Sequence, residues 1–119
     1  MALAEVLRLL NAISEPNRLR ILVALSARRM CVCELCAALN LKQSVMSQHL
    51  RVLRDCGLVA HRKDGLWVDY ELAKTALEGP SGRVFRTLLC EVNRDELVRR
   101  DRKAAAKADR SVLCSRRKP

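Results

Sequence analysis

The stretch "LKQSVMSQHLRVLRDCG", Leu41 to Gly57, sets Met46, Leu50 and Leu53 at helical spacing and ends on a glycine. It predicts a helix with one apolar face, closed at Gly57. The opposite face carries Ser44, Ser47, Gln48, Arg51 and Arg54. Amide, hydroxyl and guanidinium groups together suit base edges and phosphates, whereas an ordinary solvated helix shows mainly Glu and Lys. Directly after it, "LVAHRKDGLWVDYEL", Leu58 to Leu72, reads as two extended runs about a two-residue turn at Asp64 and Gly65. Leu66, Val68, Tyr70 and Leu72 alternate onto one face of that β-hairpin. A polar-faced helix followed by a hairpin with Arg62 and Lys63 near its tip is the frame of a winged helix-turn-helix. The expected fold class is therefore mainly α with a small β-hairpin.

Upstream of this segment, Leu3, Val6, Leu7, Leu10 and Ile13 recur at helical spacing, and only Glu5, Arg8 and Asn11 form a polar stripe. A first helix so apolar is more than one small core can cover. Ser14, Glu15 and Pro16 signal the start of a second helix, whose Leu19, Leu22, Val23 and Leu25 form the buried stripe before Arg28 and Arg29. A short third helix follows from about Cys33 to Leu39, closed by a left-handed Asn40. Beyond the hairpin, Ser81 is placed to cap a helix carrying Val84, Phe85, Leu88, Leu89 and Val92, which fades into a basic, alanine-rich tail. The expected division is a winged helix-turn-helix domain over 1–98 and a basic tail over 99–119.

A chain of 119 residues, half of them apolar, supports one domain with one core. The formal charge of +10 points to an anionic partner. Most of that excess lies between Arg99 and Pro119, where nine Lys or Arg oppose Asp101 and Asp109. Inside the body the excess is concentrated between Lys42 and Lys63, where Lys42, Arg51, Arg54, Arg62 and Lys63 face Asp55 alone. No run reaches the roughly 20 apolar residues that cross a bilayer, so no membrane partner is expected and the chain is read as cytoplasmic. In that reducing compartment its six cysteines are read as thiols.

Three of them crowd into "MCVCELC", Met30 to Cys36. On a helix Cys33 and Cys36 share a face while Cys31 would stand nearly opposite Cys33, so a regular helix cannot aim all three at one ion. Either Cys31 lies in the turn before the helix and folds back, or capture unwinds the first turn. Three thiolates without a cage of His or carboxylate favour soft, thiophilic centres over magnesium, calcium or nickel. Arg28, Arg29 and the helix start are expected to favour the thiolate form. Cys56 and Cys90 read as packing residues, and Cys114 lies in the tail.

The segments "EPNRLRILVAL", "CVCELC", "QSVMSQHLRVLRDCGLV" and "RKDGLWVDYEL", spread from Glu15 to Leu72, resemble the ArsR/SmtB group of bacterial metal- and metalloid-sensing repressors, and within it the arsenical-resistance repressors. The resemblance implies a homodimer built from the first and last helices, bound to double-stranded operator DNA with inverted half-sites. It also implies release when Cys31, Cys33 and Cys36 capture As(III) or Sb(III), with no organic cofactor and no enzymatic step. Cd(II), Pb(II) or oxidation of Cys31 and Cys33 are the alternative signals; a small thiol reductase would need a glycine loop or βαβ frame that the cluster lacks. The DNA-contact candidates are Gln43, Ser44, Ser47, Gln48, His49, Arg51, Arg62 and Lys63, with His49 read also as a structural hydrogen-bonding residue and His61 as a wing residue near phosphate. Trp67 and Tyr70 read as hairpin packing. Two departures from the family pattern stand out. Lys42, at the start of the polar-faced helix, offers no acceptor oxygen for a cap, and the final helix holds neither His49 nor His61, so the zinc site of several relatives is not expected there.

Overall fold

Pro16 at the first helical position and the Glu15 carboxylate, which accepts the Arg18 N–H at 2.8 Å, start the helix around which the rest of the chain is arranged. In the computed structural model, which describes residues 2–113, this is α2, Pro16–Ala27, preceded by α1, Leu3–Ile13. Five consecutive residues of α2, Ile21 to Leu25, are buried. They are covered because five other helices and one strand lie against α2. Ser14, expected to begin this helix, instead donates its hydroxyl to the Asn11 carbonyl at 2.9 Å and closes α1. Only Leu9 and Ala12 of α1 are buried, and Leu3, Leu7 and Leu10 are exposed by 74, 56 and 47%.

The strand β1, Met30–Cys31, leads into α3, Val32–Leu39, which ends on Asn40 at φ 55° and ψ 49°, the expected left-handed residue. The short turn after it delivers α4, Gln43–Asp55, with Met46, Leu50 and Leu53 buried as expected. Strands β2, Val59–Asp64, and β3, Trp67–Leu72, form the wing in an antiparallel sheet of order β1-β3-β2. Asp64 pairs with Trp67, so the hairpin loop is Gly65 and Leu66, one residue later than expected, with Gly65 at φ 61°. The wing's apolar face also departs from the alternation. Tyr70 and Leu72 join the core, but Leu66 and Val68 are exposed by 93 and 41%, and the buried residue of β3 is Asp69. The reason lies at the far end of the chain, where Arg110 covers the other face of the wing.

A 3-10 turn, Lys74–Leu77, precedes α5, Gly79–Val92, which buries Phe85 and Leu89 and leaves Val84 44% exposed. This helix begins at Gly79 and Pro80 rather than with a cap at Ser81. Gly82 is needed for close approach, since a Cβ there would collide with the Leu77 carbonyl group. The chain then does not fade. The Asp95 carboxylate accepts the Val98 N–H at 3.2 Å and starts α6, Glu96–Lys107, which crosses the 98/99 boundary that the charge count suggested. Helix α6 buries Val98, Asp101 and Ala105 against α2 and α3. A run of cations hides this face because its central residue is an acid, and Asp101 is buried only because Arg20 reaches it at 2.8 and 2.9 Å. A final turn, α7, Arg110–Leu113, lies against α3, and Cys114 falls outside the described residues.

Candidate nucleic-acid interface and thiol cluster

The outer face of α4 is built as the spacing requires: Gln43, Ser44, Ser47, Gln48 and Arg51 are all exposed on it, and Arg62 and Lys63 are exposed on β2. Lys42 occupies the cap position with an extended backbone and no side-chain hydrogen bond. Lys42 thus supplies no oxygen to the positive end of the helix dipole and instead adds a cation beside it. His49 faces elsewhere. Its Nδ1 lies 3.7 Å from the Glu15 carboxylate with the side chain 17% exposed, so it faces the start of α2 and does not lie on the open face. The Arg54 guanidinium donates to His61 Nδ1 at 2.8 Å, which leaves that ring nitrogen as the acceptor. The His61 ring stands edge-on to Tyr70 with centroids 5.7 Å apart. Arg54 and His61, both exposed, therefore link helix and wing across the protein surface.

Cys31 is the cap of α3, with φ −84° and ψ 171°, and so lies before the helix rather than in it. Its sulfur accepts the Glu34 N–H, and the Glu34 carboxylate accepts the Cys31 N–H at 3.0 Å. This is a capping box with a thiol in place of the usual hydroxyl. The second Glu34 oxygen accepts from Arg28 at 3.1 Å, and the carboxylate is buried. Glu34 therefore serves the cluster as a cap partner, and Cys-x-x-Glu at a helix start is the sequence pattern that marks it. Cys31 and Cys36 are buried, Cys33 is half-buried, and all three are thiols. Among the described residues no set of three His, Cys, Asp or Glu side chains is gathered to hold a metal ion. The donor chemistry fits a soft trigonal centre, while the resting geometry keeps the Cys31 sulfur on its cap.

Two connections leave this cluster. Through β1 it joins the wing, since Met30 pairs with Tyr70 and Cys31 with Asp69. Through α3 it touches α4 and the C-terminal helices. Arg28, expected to act on the thiols, is instead engaged with Glu34 and with the carbonyls of Ala105 and Ala108, both at 2.9 Å. It thus places its charge at the negative end of α6.

The model of the arsR family of bacterial regulatory proteins matches residues 15–61, the span from the start of α2 into the wing. The arsenical resistance operon repressor of Escherichia coli is 32% identical over 111 residues, covering 92% of this chain and 95% of that protein. A transcriptional repressor SmtB homolog of Synechocystis is 43% identical over 63 residues, 53% of this chain and 48% of its own length. Among solved structures, the homodimeric winged helix-turn-helix DNA-binding domain Mb0332 of Mycobacterium bovis superposes with a TM-score of 0.65 at 25% identity, covering 76% of this chain and 81% of that one.

Proposed function

The chain belongs to the arsR family of bacterial regulatory proteins, and from that premise we propose that it is a cytoplasmic, homodimeric repressor that holds double-stranded operator DNA until As(III) or Sb(III) is captured by Cys31, Cys33 and Cys36. In this reading Gln48 and Arg51 reach base edges in the major groove, Gln43, Ser44 and Ser47 contact phosphates or bases, and Arg62 and Lys63 lie along the backbone. His49 orients α4 from behind. The exposed leucines of α1 and Val84 of α5 supply an apolar surface that a second copy would cover.

The observation that carries the reading is the position of Cys31, which is at once the cap of α3 and the strand partner of Asp69 in the wing. A trivalent metalloid offers three bonds to sulfur. For Cys31 to join Cys33 and Cys36, its sulfur must leave the Glu34 N–H and the first turn of α3 must bend. Each thiol proton then leaves with one hydroxide of the metalloid as water, so that three bonds to sulfur replace three to oxygen with no change of oxidation state. Losing a cap costs on the order of 1 kcal/mol, small beside three sulfur bonds. The displacement is passed to α4 through α3 and to β3 through β1, so both DNA-contacting parts change position together. A coupling of about 1–3 kcal/mol between effector and DNA is expected, and it acts equally in both directions.

The test begins by selecting a duplex from a random library with the reduced full-length chain. The complex is then titrated with arsenite, antimonite, cadmium, lead and peroxide while DNA release and accessible thiols are followed. Arsenite or antimonite should release the DNA as three thiols per chain disappear, and Cys33→Ser should bind DNA without responding. Release by cadmium or lead alone, or by peroxide alone, would replace the metalloid with that signal. Normal release from Cys33→Ser would remove the cluster from the mechanism.

A further inference from the structure

Arg110 was counted above only as part of a basic tail, yet it is the residue that joins the C-terminal helices to the wing. Its guanidinium donates to Asp69 at 2.6 Å and to Asp64 at 2.9 Å, and its central carbon lies 4.6 Å from the centroid of the Trp67 ring. Three residues from both wing strands thus meet one planar cation, the arrangement a guanidinium fork suits and an ammonium does not. The base from which it reaches is anchored: Asp101 of α6 is bound to Arg20, and the Ala105 and Ala108 carbonyls to Arg28.

The strand register shows what this contact is worth to the wing. Asp69 stands directly opposite Arg62 in the β2–β3 pairing. Side chains directly opposite each other in an antiparallel pair share a face with Cβ atoms about 5 Å apart. A buried carboxylate at that distance is the natural partner for Arg62. Among the described residues, however, the ion pair on Asp69 is made by Arg110, and Arg62 remains exposed.

We propose that Arg110 is a positioning residue for DNA binding: by occupying Asp69 and Asp64 it keeps Arg62 available for the phosphate backbone. The inference goes beyond the contact set assigned to α4 and the wing, and it rests on the DNA-binding reading in one of its two tests only.

The first test needs no DNA. In the wild-type chain the side-chain NMR signals of Arg62 should exchange freely with water, and in Arg110→Met they should become protected as Asp69 takes Arg62. Trp67, the one tryptophan in the sequence, should shift its emission when the cation leaves its face. The second test measures affinity for the library-selected duplex against salt. Each phosphate contact contributes about 0.9 to the slope of log affinity on log salt, so Arg110→Met should lower the slope by about one contact per protomer, two for the bound dimer. The double variant Arg110→Met with Asp69→Asn should restore it, because no carboxylate remains opposite Arg62. The double variant also leaves no unpaired buried charge, so it keeps the test open if the single variant folds poorly. An unprotected Arg62 in Arg110→Met, an unchanged slope, or a lowered slope that Asp69→Asn does not restore would overturn the proposal. A wild-type chain that selects no duplex would instead overturn the DNA-binding reading, and the NMR test would still decide the role of Arg110.

Discussion

Replacing Asp101 by alanine tests whether the C-terminal helix is an integral part of the domain. The Asp101 side chain is 5% exposed and its partner Arg20 14%, with two charge-assisted hydrogen bonds of 2.8 and 2.9 Å between them. Removing one member of a buried pair costs about 3–5 kcal/mol, because the other is left buried and uncompensated. Arg20 is partly protected from that cost. It retains the Asn17 side-chain oxygen and the Leu39 carbonyl, both at 2.8 Å, so about 2–3 kcal/mol is the expected loss. For a chain of this length that corresponds to roughly 10 °C in Tm. The measurement is urea unfolding of wild type, Asp101→Ala and Asp101→Asn, with hydrogen exchange over 96–107. The alanine variant should lose midpoint at constant slope and lose protection in α6, while the asparagine variant, which still accepts from Arg20, should fall between. A loss below about 0.5 kcal/mol, the level of an ordinary surface change, would refute the argument that this pair docks α6.

Cys31→Ser should separate capping from capture: serine is a good cap, so folding and DNA affinity should stay within about 1 kcal/mol of wild type while arsenite release is lost, as denaturation and DNA-release assays will show. Arg51→Ala should weaken binding to the selected duplex by about 1–3 kcal/mol and relax base preference at one position, if its contact is bidentate; equal affinity at matched salt would remove it from the contact set. Gly82→Ala should destabilise by about 1–3 kcal/mol or more, since its Cβ meets the Leu77 backbone rather than a side chain that can move, and chemical denaturation will measure this.

What local pattern governs was legible in the chain. Met46, Leu50 and Leu53 against Ser44, Ser47, Gln48 and Arg51 defined α4 because a period of 3.6 sorts a single helix into faces without help from the rest of the molecule. Asn40 and Gly65 announced left-handed turns for the same local reason. The three thiols could be judged unable to meet on a regular helix from angular spacing alone, and Cys31 does lie before α3. The capping role of Cys31 and Glu34 was also within reach, but serine and threonine usually fill that position and the thiol concealed it.

By itself the sequence determined the helix-turn-helix, the hairpin and the order in which they follow, since each depends on residues a few positions apart. Only the tertiary structure decided that Asp69 and Asp101 are interior residues and that Arg20, Arg28 and Arg110 serve as ties rather than surface charge. A charged side chain is buried only when a partner meets it, and here those partners lie as far as 81, 77 and 41 positions along the chain. Hydrophobic periodicity carries no record of such a meeting, because the pairing exists only once the chain has folded back on itself.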